Sequence, residues 1–126
     1  MLRNFLVPFF WALIILLLSS IPSSDLPDFS FWILISFDKL AHACMYGLLS
    51  FLTMKACLKQ YSNRYVRYNA LKVSAVSGII YGGFVEFFQE YVLTDRYGDW
   101  MDFIANVIGT VIGIIVFRLI FIEYIR

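Results

Sequence analysis

The chain has 126 residues, enough for one domain and too few for two. Apolar side chains dominate: 61% of the residues are hydrophobic, 15% are charged, and the mean hydropathy is +0.78. A soluble domain of this size cannot bury so much apolar surface, so the composition predicts a protein that lies in a membrane. The net charge of +1 offers no strongly basic surface, and we therefore expect no nucleic-acid partner.

Four apolar runs, each close to the length that crosses a bilayer as a helix, divide the chain. Backbone groups in lipid must be hydrogen bonded within their own segment, so each run is predicted to be helical. We predict a single all-α domain over residues 1–126, a four-helix transmembrane bundle. The predicted helices cover residues 3–21, 38–58, 71–93 and 99–122. The connectors at 19–30 and 59–72 are predicted to be loops.

Basic residues are distributed unevenly between the two sides of this predicted bundle. With four spans, the termini and the middle connector share one side, which holds eight of the ten Lys and Arg residues. By the positive-inside rule that side is the cytoplasm, so we expect both termini to be cytoplasmic. Eight of the nine acids fall on the other, outer side, an asymmetry that the rule does not explain. These acids are Asp25, Asp28, Asp38, Glu86, Glu90, Asp95, Asp99 and Asp102.

The second predicted helix carries a stripe of polar side chains at its outer end. Asp38, His42 and Tyr46 follow i, i+4, i+8 spacing and therefore share one face. Asp38 stands where a helix cap is expected, because a carboxylate there can accept backbone N–H bonds. Lys39 is next to it, and its long side chain is predicted to reach the lipid headgroups.

The third and fourth predicted helices carry similar stripes at the same membrane level. Glu86 and Gln89 are i, i+3 neighbours, and an ionised Glu86 at its predicted depth must avoid lipid. Asp99, Asp102 and Asn106 share a face of the last helix. Asp99 is explained by a capping role, whereas the other two lie too deep for one.

All three stripes reach the outer leaflet, so we predict that their side chains enclose one outward-facing polar pocket inside the membrane. The predicted pocket residues are Asp38, Lys39, His42, Tyr46, Glu86, Gln89, Arg96, Asp99, Asp102 and Asn106.

Small residues at four-residue spacing indicate how the helices approach closely enough to form this pocket. Gly78 and Gly82 follow Ser74 on the third helix, and Gly109 and Gly113 repeat on the fourth. Such ridges let transmembrane helices pack backbone to backbone, and we assign them to packing within the bundle.

The order of these motifs resembles the VanZ-like family of bacterial membrane proteins. The chain reads DKLAH from Asp38 with Tyr46 after it, then EFFQ from Glu86, then RYGDWMDFIAN from Arg96, followed by Gly109 and Gly113. The similarity covers residues 38–113. It implies a multi-pass protein of the bacterial cytoplasmic (inner) membrane, and a link with resistance to glycopeptide antibiotics such as teicoplanin, which act on cell-wall precursors.

Two functional hypotheses use the predicted pocket. In the first, it binds a membrane lipid headgroup, a lipid-linked cell-wall precursor or a lipoglycopeptide. In the second, His42 acts with Asp102 or Glu86 as a general acid–base pair on a lipid-linked substrate. Arg96 and Lys39 would then hold a phosphate or carboxylate of that substrate. No Ser or Cys nucleophile lies on the polar stripes.

Two further alternatives need no organic ligand. His42 and the carboxylates suit a hard or borderline divalent ion, but no compact metal-binding spacing is present, so we expect no metal and no cofactor. In the other alternative the polar side chains only lock the helices together, through pairs of Arg96 with Asp99 or Asp102 and of His42 with Glu86. The sequence leaves the oligomeric state open.

The predicted orientation can be tested by labelling introduced cysteines in cells. In a variant that lacks the native Cys44 and Cys57, we expect an impermeant thiol reagent to label Asp28→Cys, because residue 28 is predicted to lie outside. Asn63→Cys should be labelled only after permeabilisation. The reverse pattern would show that the termini are outside.

Overall fold

The computed structural model describes residues 2–21, 31–93 and 98–125, and the described chain is all-α with no strand. A short 3-10 turn, Leu2–Phe5, leads into the first helix. The α-helices are α1 (Leu6–Ser19), α2 (Phe31–Leu58), α3 (Arg64–Tyr68), α4 (Ala70–Tyr91), α5 (Trp100–Ile120) and α6 (Ile122–Ile125).

Four segments are long and apolar enough to cross a membrane, which confirms the predicted all-α fold with four candidate spans. They are Leu2–Ser19, Phe37–Leu58, Ala70–Tyr91 and Trp100–Ile120. Large apolar side chains such as Leu17, Phe87 and Ile112 are exposed, whereas polar His42 and Asn106 are buried. This distribution is typical of a bundle whose surroundings are lipid and whose interior carries the polar groups.

Helices α2 and α5 form the central pair of the bundle, and small residues bring their backbones into contact. A Cβ atom added at Gly109 would collide with the carbonyl group of Ala43, and one added at Gly113 would collide with that of Gly47. Only a hydrogen atom fits at either position. The prediction of a small-residue ridge on this helix therefore corresponds to a direct α2–α5 contact.

Helix α4 packs on this pair through its own row of small residues. Gly78 lies against the side chain of Thr110, and Gly82 lies against that of Asn106. At the same seam the Ser74 hydroxyl donates a hydrogen bond of 2.7 Å to the carbonyl of Ser50. These contacts put the row inside the bundle.

Helix α1 lies at the periphery of the bundle and is joined to α2 and α4 by three hydrogen bonds between a side chain and a backbone carbonyl. The indole N–H of Trp11 donates to the carbonyl of Met45 at 2.9 Å, and the Tyr81 hydroxyl donates to the carbonyl of Ala12. The Gln89 amide donates to the carbonyl of Ser19 at 2.9 Å.

Two local predictions are wrong. Helix α2 begins at Phe31 and not near residue 38, because the run FWILISF contains neither Gly nor Pro and continues the helix. Asp38 therefore lies inside the helix and is not its cap. The connector at 59–72 contains the short helix α3, whose first turn is capped by the Asn63 side chain accepting from Val66 N at 3.2 Å.

The α2–α5 contact predicts a large difference between two glycine substitutions. Gly109→Ala should lower the free energy of unfolding by about 1–3 kcal/mol, the usual cost of overpacking, because the Ala43 carbonyl cannot move aside. Gly83→Ala is the matched control, since its new Cβ would meet only Phe103 at 3.6 Å. Thermal unfolding in detergent measures both, and equal stabilities would contradict the assigned contact.

Candidate functional site

Polar side chains from three helices meet where α2 and α5 enter the bundle and α4 leaves it. Helix α2 contributes three of them, α4 one, and α5 together with its N-cap residue three. We call this set the polar cluster: Asp38, Lys39, His42, Glu86, Asp99, Asp102 and Asn106.

The start of α5 is held by the carboxylate of the capping residue before it and by carboxylates from the end of α4. Asp99 is the N-cap, and its side chain accepts from Met101 N at 2.9 Å, in agreement with the predicted capping role. Glu86 accepts from Asp99 N at 3.0 Å, and Glu90 accepts from Gly98 N at 2.8 Å. Amide groups at a helix start lack partners within the helix, so these carboxylates fix the entry of α5.

Lys39 joins α2 to α5 and does not extend to the headgroups as predicted. Its ammonium donates to Asp99 Oδ2 at 2.8 Å and to Asp102 Oδ1, and it lies 3.9 Å from Asp38 Oδ2. Three carboxylates surround the cation, and their attraction offsets the cost of moving the ammonium away from water.

This ion pair acts on the acidity of Asp99, whose side chain is 42% exposed just before the span. The hydrogen bond from Lys39 lowers the pKa of the Asp99 carboxyl below its ordinary value, and the bond from the Met101 amide acts in the same direction. Asp99 is therefore ionised throughout the neutral range.

His42 is buried, with 2% of its surface exposed, and Asn106 of α5 links it to Glu86 of α4. Its Nδ1 lies 2.9 Å from Asn106 Oδ1, while the Asn106 amide nitrogen lies 3.5 Å from Glu86 Oε1. Asn106 thus lies between His42 and Glu86. The direct His42–Glu86 pair considered from the sequence is replaced by two contacts through the Asn106 side chain. On the other side of the ring, Nε2 lies 3.6 Å from Asp102 Oδ2 and 3.8 Å from Asp38 Oδ1.

Tyr46 and Gln89 are buried beside the polar cluster but do not bond to it. Tyr46 packs against Tyr81, with 6.2 Å between ring centroids, and Gln89 bonds to α1. Within the described part of the chain, three buried atoms here have no hydrogen-bond partner: the Tyr46 hydroxyl, Gln89 Oε1 and the Ser19 hydroxyl. Buried polar atoms without partners are uncommon in folded proteins.

Arg96, the other predicted pocket residue, lies outside the described residues. The sequence interpretation also missed a polar seam deeper in the bundle. Thr110 is buried one turn beyond Asn106 and donates to its carbonyl at 2.8 Å, and the Ser50 hydroxyl donates to the carbonyl of Thr110 at 2.9 Å. The i, i+4, i+8 spacing from Asp102 places Thr110 on the same face and would have identified it.

Three members of the polar cluster have side chains suited to a metal ion. One ligand atom from each of Asp38, His42 and Asp102 lies within 4.8 Å of the other two. Carboxylate oxygen and imidazole nitrogen together suit borderline divalent ions.

A groove of about 920 Å³ lies elsewhere, between α1, α2 and α4. Its walls are mainly apolar, and none of its lining residues belongs to the polar cluster. Ile80 and Phe84 line one part of it and Lys72 another. The cavity and the candidate chemistry are therefore separate features.

A family model described as VanZ/LLP1 matches residues 3–121, nearly the whole chain. No curated protein and no solved structure matches the sequence.

The Lys39–Asp99 pair predicts a specific pH dependence of stability. Since the pKa of Asp99 is lowered by folding, its charge stabilises the fold above the ordinary Asp pKa of about 3.9, and this contribution disappears as the pH falls through the lowered value. Asp99→Asn keeps a capping oxygen but removes the charge. We expect the parent to unfold at a higher temperature than the variant at neutral pH, and the gap to shrink below pH of about 4. A gap that stays constant with pH would contradict this role.

Proposed function

The chain belongs to the VanZ/LLP1 family, and on that premise we propose that its polar cluster binds the headgroup of a membrane lipid or lipid-linked cell-wall precursor. The bound headgroup would lie in the outer leaflet of the bacterial cytoplasmic membrane. The proposal concerns binding, because the described part of the cluster contains no Ser or Cys that would serve as a nucleophile.

The observation that carries the proposal is the set of unpaired polar atoms beside the polar cluster. A network that served only to lock the helices would pair its buried groups with each other, since each unpaired one costs about 1–3 kcal/mol. Tyr46 is fully buried, yet its hydroxyl has no partner among the described residues, and the same holds for Gln89 Oε1. A polar headgroup can supply the missing partners.

A gradient of exposure supports access from the end of the bundle. The Asp99 and Asp38 side chains are 42% and 36% exposed, whereas those of Asp102 and His42 are 7% and 2% exposed. A ligand approaching this end meets the half-exposed carboxylates first and the buried groups behind them. The acid-rich end is the one that the positive-inside rule predicts to face outward.

The charge of the cluster indicates the chemistry of the ligand. Its described part holds four carboxylates and one lysine, and that lysine is already shared between Asp99 and Asp102. Among the described residues an anionic group therefore finds no available cation, whereas a primary ammonium group or sugar hydroxyls find several acceptors. Ethanolamine phospholipids and amine-bearing cell-wall precursors both carry an ammonium group. Binding of such a precursor would connect the protein with teicoplanin-type resistance.

Two tyrosine substitutions separate ligand binding from structural locking. Tyr46→Phe removes a hydroxyl that has no protein partner, so we expect no loss of thermal stability. Retention of the ligand should fall about 2- to 12-fold, the equivalent of one hydrogen bond of 0.5–1.5 kcal/mol. Native mass spectrometry of the purified protein, reconstituted with either an ethanolamine phospholipid or an amine-bearing lipid-linked precursor, measures retention and distinguishes the two sources.

Tyr81→Phe is the matched control, because its hydroxyl does have a partner, the carbonyl of Ala12. It should lower thermal stability and leave ligand retention unchanged. The proposal is wrong if neither lipid is retained, or if Tyr46→Phe destabilises the protein as Tyr81→Phe does. Conversion of a labelled precursor to product would instead favour an enzyme.

A further inference from the structure

We propose that Asp38, His42 and Asp102 form a binding site for a divalent transition-metal ion, best suited to Zn²⁺. The three side chains come from two helices, and their ligand atoms lie within 4.8 Å of one another. Two of the three are buried, which distinguishes them from the exposed acidic groups common on protein surfaces.

The distances around His42 Nε2 correspond to ligands that share an ion. Asp102 Oδ2 lies at 3.6 Å and Asp38 Oδ1 at 3.8 Å, both too long for good hydrogen bonds. Two ligands bound tetrahedrally to one Zn²⁺, each about 2.0–2.2 Å from it, are separated by about 3.3–3.6 Å. A shift of a few tenths of an ångström brings both His42 distances into that range.

The imidazole ring is oriented for metal binding by its other nitrogen. An amide oxygen can only accept, so His42 Nδ1 carries the proton and donates to Asn106 Oδ1 at 2.9 Å. The orientation of the amide follows from its nitrogen, which faces Glu86 Oε1. In the neutral ring the lone pair is therefore on Nε2, toward the two aspartates. Metal-binding histidines usually have such an acceptor on the second nitrogen.

Lys39 occupies the opposite oxygen of each aspartate. Its ammonium bonds to Asp102 Oδ1 and lies 3.9 Å from Asp38 Oδ2, so the remaining oxygens, Asp102 Oδ2 and Asp38 Oδ1, face His42. The cation thus positions both carboxylates without covering the atoms that would bind the ion.

The charge of the polar cluster favours a divalent cation. When all four carboxylates are ionised and His42 is neutral, the cluster has a net charge of −3, and much of it lies in a poorly hydrated environment. A divalent ion reduces this to −1. Three protein ligands also leave a fourth position for water or a ligand. The metal site stands on these residues alone and does not require the proposed headgroup binding.

The test is metal binding by the full-length protein in lipid nanodiscs, with any affinity tag removed. After treatment with a chelator and its removal, titration calorimetry with Zn²⁺ should show one ion per chain. Zn²⁺ should also raise the temperature of thermal unfolding. Co²⁺ should give visible absorption bands that Zn²⁺ then abolishes. Absence of Zn²⁺ binding to the parent protein would overturn the proposal.

Substitutions assign the site to its residues. Asp38→Asn is the least disruptive because this side chain is 36% exposed, and it should weaken Zn²⁺ binding at least tenfold, as should Asp102→Asn. Asn106→Ala should weaken it about 10- to 100-fold through loss of ring orientation. Glu90→Gln, a nearby acid outside the polar cluster, is the control and should bind as the parent does.

Two outcomes would overturn the assignment even if the parent binds Zn²⁺. One is unchanged affinity in both aspartate variants. The other is an equal loss in Glu90→Gln, which would indicate diffuse attraction by the acidic end. If Asp102→Asn does not fold, Asp38→Asn and the Zn²⁺-dependent rise in unfolding temperature decide the question.

Discussion

The close approach of α2 and α5 is the constraint on which the rest of the structure depends. Gly109 lies against the carbonyl of Ala43, one residue along the chain from His42, and Asn106 precedes that glycine by one helical turn. The 2.9 Å contact between His42 and Asn106 is therefore possible only because no Cβ separates the two backbones. Side chains any larger would keep the polar stripes on separate helices.

In lipid surroundings, the energies of polar contacts indicate whether this polar interior serves only helix packing. Hydrogen bonds between transmembrane helices contribute little, about 0.6 kcal/mol each on average where they have been measured. Ionisable groups in such a position are costly to bury, and helix packing alone could be achieved by Ser and Thr, as at the seam of Ser50, Ser74 and Thr110. The described bundle thus contains both kinds of polar contact: the hydroxyl seam is uncharged, and the polar cluster carries ionisable groups.

Helical periodicity accounts for most of what could be predicted from the sequence. Spacing alone placed His42, Asp102 and Asn106 on inward faces, because one apolar and one polar face per helix is a local property. The sequence could not predict the start of α2 at Phe31. The run FWILISF contains no residue that shows whether the helix begins with the membrane span or extends before it. The sequence also could not predict the partner of Lys39, because three carboxylates on two helices compete for one ammonium and only their distances decide.

The two halves of the polar cluster differ in what they leave unsatisfied. At the exposed end Lys39 and the start of α5 pair with carboxylates, so that half is explained as structure. In the buried half His42 Nδ1 contacts Asn106 at 2.9 Å, but its Nε2 faces two carboxylate oxygens beyond hydrogen-bond distance. The buried Tyr46 hydroxyl has no partner among the described residues. Protein interiors normally pack polar groups into shorter contacts than these. Because the glycine contacts fix the backbones of α2 and α5, these groups can approach one another only through small side-chain movements, and the ion or headgroup that we propose would supply the partners they lack.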